Sequence, residues 1–78
     1  MANQIARIGI IFNQVETTTN EIQDTVVRAM GRFAYSQELK DHTGAAETAD
    51  QAVAKAIALL EQLRELRSAL REVTTIGY

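Results

Sequence analysis

The stretch VETTTNEIQ, residues 15–23, decides how this chain folds. Its centre, Thr17-Thr18-Thr19-Asn20, is a run of poor helix formers between two apolar segments. Read as a break, it follows a short strand over residues 7–12 and caps a helix starting near Asn20. Thr18-Thr19-Asn20-Glu21 fits the capping-box pattern, and so does Asn20 followed by Gln23. Read through, the run lies inside one long helix. Ile5, Ile8, Phe12, Val15, Thr19, Ile22, Val26, Ala29 and Phe33 alternate spacings of three and four, the a/d pattern of a helical seam. Only Thr19 is out of character, and a loop would give that phase no reason to survive. The deficit of a few tenths of a kcal/mol per Thr or Asn is outweighed by burying large side chains at ~1.5–3 kcal/mol each. The periodicity favours the continuous helix.

The second half carries the same pattern more plainly. Ala45, Ala49, Ala52, Ala56, Leu59, Leu63, Leu66, Leu70 and Val73 step by four and three without a break. Alanine fills the first four positions and leucine the next four, so the helix can approach a neighbour closely at one end and less closely at the other. Lys40 and His42 suit a helix C-terminus, and Thr43 suits an N-cap with Glu47 near the positive end of the next dipole. These signals predict one all-α domain over residues 1–78, with helix one at about 4–40 and a turn at about 41–44. Helix two follows at about 45–74, and residues 75–78 form a frayed tail. A connection this short makes the helices antiparallel neighbours, a long helical hairpin.

A hairpin buries one stripe per helix, and a core that thin holds a small domain poorly. The apolar stripes here are wider than one seam. Ile11 and Met30 lie beside the first, and Val53, Ile57 and Leu60 beside the second. The expected self-association residues are Ile8, Phe12, Val15, Ile22, Val26, Met30 and Phe33 on helix one, and Val53, Ile57, Leu60, Leu63, Leu66 and Leu70 on helix two. Two hairpins face to face would bury both stripes in a dimeric four-helix bundle or coiled coil. Arg64, Arg67 and Arg71 form a basic row that a turn near residue 43 would bring level with residues 15–22. Glu16, Glu21 and Asp24 are the expected partners in setting that register.

The chemistry the chain lacks narrows its function. With no cysteine there is no disulfide or thiolate, and a small domain without such staples is expected inside the cell, in the cytoplasm. A net charge of −2 gives no pull towards nucleic acid or an acidic membrane surface. The apolar run at residues 8–12 is far short of the ~20 residues of a spanning helix. His42 is the sole histidine and reads as a solvated turn residue, without the companions a metal site needs. Glu61, Glu65 and Glu72 face away from the seam as a solvated acidic face. Gly9, Gly31, Gly44 and Gly77 stand singly, so no phosphate loop is encoded.

No cofactor and no catalytic residue is therefore expected. The leading expectation is a non-enzymatic assembly or adaptor protein that self-associates, as a dimer first, and meets protein partners. If residues 7–12 were a strand, the order strand–helix–helix would suit a small dimeric DNA-binding or antitoxin-like regulator. A third possibility is a subunit of a larger helical array.

Overall fold

The computed structural model describes residues 2–76, and all regular structure among them is helical. Helix α1 covers Ala2–Ser36 and helix α2 covers Thr43–Ile76. The strand alternative is overturned: one helix runs through residues 15–23. Thr19 in that stretch, and Thr25 just beyond it, fit because their hydroxyls find acceptors in their own helix. Thr19 Oγ1 donates to the Val15 carbonyl at 2.8 Å, and Thr25 Oγ1 donates to the Glu21 carbonyl at 2.7 Å. This one-turn back-bonding satisfies the polar atom locally.

Helix α1 stops at Ser36, short of the expected residue 40. Lys40 takes up the left-handed region with φ 56°, and its N–H donates to the Ser36 carbonyl at 2.8 Å. That is the usual device for closing a helix C-terminus, here without the glycine that would adopt it most cheaply. The next helix opens when the His42 carbonyl accepts from the Ala46 N–H at 2.9 Å. The capping carboxylate belongs to Asp41, not to the expected Thr43. Asp41 Oδ1 accepts from the Thr43 hydroxyl at 2.6 Å and from the Thr43 N–H at 3.1 Å. The Thr43 hydroxyl bond, then its backbone N–H, hold the Asp41 carboxyl below the usual carboxylate range. At the far end α2 runs on through Thr75 and Ile76, which the sequence placed in a frayed tail. The rest of that tail, Gly77 and Tyr78, lies outside the described residues.

The hairpin is a rod of 61 × 14 × 13 Å with a radius of gyration of 17.8 Å. A compact chain of this length would have a radius near ~11–12 Å. The contact between the helices is a strict alternation of three and four on both sides. On α1 it uses Gln4, Ile8, Ile11, Val15, Thr18, Ile22, Thr25 and Ala29, with Ser36 closing the turn end. On α2 it uses Ala45, Thr48, Ala52, Lys55, Leu59, Gln62, Leu66, Ala69 and Val73. Half of the expected seam is right: Ile8, Val15, Ile22 and Ala29 face α2, and Ala45, Ala52, Leu59, Leu66 and Val73 face α1. The alternate positions are displaced by one residue. Ile11, Thr18 and Thr25 replace Phe12, Thr19 and Val26, while Thr48, Lys55, Gln62 and Ala69 replace Ala49, Ala56, Leu63 and Leu70.

Part of the displacement has a physical reason. Thr25 and Thr48 spend their hydroxyls on carbonyls of their own helix, Thr48 on Gly44 at 2.8 Å, and then pack as small side chains. Small residues let two backbones come close, which Phe12, Leu63 and Leu70 would prevent. The apolar core proper is short: Ile8, Ile11, Leu66 and Ala69, flanked by Val15 and Val73, all near the end away from the turn.

A candidate association surface

At 100° per residue, each helix presents one column of side chains to its partner and further columns to either broad side of the rod. Antiparallel pairing relates the helices by a two-fold axis perpendicular to their common plane. Equivalent positions on the two helices therefore share a broad side. The ion pairs mark the polar side: Arg7 reaches Glu65 at 3.4 Å and Glu72 at 3.8 Å, and Lys55 reaches Glu21 at 3.2 Å. Apart from the half-buried Lys55 their members are solvent-exposed, and such pairs contribute under ~1 kcal/mol each.

The charge register is therefore not the expected one. Glu21 pairs with Lys55, and Glu16, Asp24, Arg64 and Arg67 make no ion pair among the described residues. The chain reverses near residue 39 and not 43, because α1 ends at Ser36. Ile8 and Ile11 pack with Leu66 and Ala69. Arg64 and Arg67 accordingly stand level with residues 10–13, below the acidic group.

The opposite broad side is apolar. From α1 it carries Phe12, Val26, Met30 and Phe33, and from α2 Val53, Leu60, Leu63 and Leu70, with exposures from 41% for Leu70 to 65% for Met30. Ile5 continues it at the open end and Ile57 borders it on α2. Of the thirteen expected self-association residues, the hairpin itself buries Ile8 and Leu66 and half-buries Val15 and Ile22. The other nine, Phe12, Val26, Met30, Phe33, Val53, Ile57, Leu60, Leu63 and Leu70, remain in solvent. Leu63 and Leu66, read from sequence as equal members of one seam, part company at 42% and 8% exposure. A groove of about 480 Å³ opens on this side of α2, lined by Leu63, Leu66, Leu70 and Thr74, with Arg67 and Arg71.

Sequence reasoning missed the most buried apolar side chain, Ile11, as a hairpin contact, together with Ala69 and the seam threonines. The available signal was that Ile11, Thr18 and Thr25 repeat at seven residues, as do Thr48, Lys55, Gln62 and Ala69. Hydropathy hid it, because most of those residues are small or polar.

The turn end holds the remaining polar chemistry. Ser36 Oγ lies 3.1 Å from the Phe33 carbonyl and 2.7 Å from His42 Nδ1, and the His42 ring rests against Phe33 with centroids 4.9 Å apart. These contacts fasten the turn. Ser36 itself is buried, at 7% exposure. Beside it lies an open hollow of about 520 Å³ between Arg28, Arg32, Tyr35, Leu39 and Gly44. Arg28 there donates to Thr25 Oγ1 at 3.2 Å. Among the described residues, no three His, Asp or Glu side chains gather as metal ligands would, and no helix is long and apolar enough to cross a membrane. Comparisons of the chain with protein-family models, with characterised proteins and with solved structures gave no match.

Proposed function

We propose that this chain is a non-enzymatic assembly or adaptor element that acts by burying the apolar side of its hairpin against other helices, first those of a second copy. One observation carries the reading. Among the described residues, ten large apolar side chains lie in solvent on or beside one side of a rod whose buried apolar core is Ile8, Ile11, Leu66 and Ala69. Contiguous apolar patches of this size mark interaction sites. The wide stripe is also what a four-helix bundle requires, since each helix there meets two neighbours roughly at right angles. The hairpin seam occupies one edge of the stripe and leaves the other edge for the second neighbour. The DNA-binding alternative depended on an N-terminal strand, and α1 occupies that segment.

Sedimentation equilibrium tests the proposal. The wild-type chain should have twice its 8.6 kDa mass at micromolar concentration, and Leu63→Glu should return it to the monomer. A folded wild-type monomer across that range would contradict it.

A further inference from the structure

The proposal above leaves open how two copies meet, and the charges on the apolar side address that. We propose that the hairpins pair with their turns at the same end, each copy's α1 lying antiparallel over the partner's α2. This rests on the self-association reading and adds its geometry.

Among the helix positions that face the apolar side, α1 carries Glu16 and α2 carries Arg67, with Arg71 beside it at the edge of the groove. Glu16 and Arg67 are exposed, and neither makes an ion pair among the described residues. If the turns lay at opposite ends, α1 would face α1 and α2 would face α2. Glu16 would then meet a helix whose charge on that side is another Glu16, and Arg67 would meet another Arg67. With the turns together, the acid of each copy faces the helix that carries the base of the other. Opposite charges placed this way fix orientation and register, and like charges penalise the alternative.

The register is then set by symmetry. A two-fold axis along the rod allows no slippage, so α1 crosses the partner's α2 at the level it holds in its own hairpin. Phe12 falls on the partner's groove between Leu63, Leu66 and Leu70. Glu16 comes level with residue 61, about six residues or ~9 Å along the axis from Arg67. Side chains lean towards the N-terminus of their helix, and on antiparallel helices these leanings converge. The length of an arginine and a glutamate covers that offset. Near the turns, Val26, Met30 and Phe33 cross the alanine-rich start of α2, so bulk meets small side chains.

The area is sufficient. An α1 of 35 residues is about 52 Å long, and a rod 14 Å wide then offers on the order of 700 Å² per copy. The total of about 1,400 Å² lies within the ~1,200–2,000 Å² of stable specific interfaces.

The chain has no cysteine, so Glu38→Cys in the exposed turn gives a single site for a spin label. Pulsed dipolar spectroscopy of the labelled dimer should give a separation under about 30 Å, whereas turns at opposite ends would stand about 50 Å apart. Independently, Glu16→Arg and Arg67→Glu should each weaken the dimer about tenfold, and the two together should restore it to within about threefold. A label distance near 50 Å, or a double variant no tighter than the single ones, overturns this arrangement and leaves self-association standing. A wild-type chain that stays monomeric overturns the self-association reading and this geometry with it.

Discussion

Gln62 sits where a bundle would ordinarily place an apolar side chain. It is half-buried in the hairpin seam close to Thr18, and its Oε1 is enclosed without a hydrogen-bond partner. An enclosed polar atom left unpaired costs about 1–3 kcal/mol. Gln62→Leu removes that atom and adds apolar contact, so it should stabilise the chain by about 1–2 kcal/mol. Urea denaturation measures this as a higher midpoint with an unchanged slope. A lower midpoint would mean that the amide is satisfied and the residue is a specificity device, as single polar seam residues can be. Thr25 is the counterexample in the same seam: fully enclosed, yet satisfied by the Glu21 carbonyl. The two residues show why polarity alone does not decide what a seam tolerates.

At the scale of the helix, the informative quantity is the phase of the apolar stripe. The two helices, their antiparallel order and the passage of α1 through residues 15–23 were all legible, because the three-four alternation persists across the threonines. Which edge of the stripe faces the other helix was not. Periodicity locates the centre of a stripe, and this stripe is wider than the contact it makes. Leu63 and Leu66 are both apolar and three residues apart, yet only the latter is enclosed. Where bulky Phe12, Leu63 and Leu70 are left outside, Ile11, Gln62 and Ala69 take the contact, but size does not explain why Thr48 and Lys55 are preferred to Ala49 and Ala56. The turn was misplaced by a few residues for a related reason: Lys40 adopts a conformation that its side chain does not advertise. Ile11→Ala should therefore cost about 2–5 kcal/mol at every protein concentration, as an ordinary loss from an enclosed core. Leu63→Ala, from the exposed column, should cost less as the protein is diluted, because its partner is supplied by association. Denaturation curves at two concentrations separate the two cases, and equal, concentration-independent losses would mean that both leucine and isoleucine serve the hairpin alone.

For the molecule as a whole, the rod shape is the clue to function. A hairpin with a radius of gyration of 17.8 Å is thin, and four buried residues form its apolar core among the described residues. Its polar broad side is held by Arg7, Glu65, Glu72, Lys55 and Glu21, while the other side exposes large apolar residues from Phe12 to Phe33, interrupted by Glu16, Thr19 and Gln23. That asymmetry is the expected form of half a four-helix bundle. If that half pairs with a second copy as proposed, folding and association are one linked equilibrium, and stability depends on how much protein is present. Thermal unfolding followed by circular dichroism over a hundredfold range of concentration tests this most directly. The melting temperature should climb steadily with concentration, and a Leu63→Glu variant should melt lower. A single cooperative melt at the same temperature throughout that range would contradict this linkage, because the apolar side would then have no partner in solution.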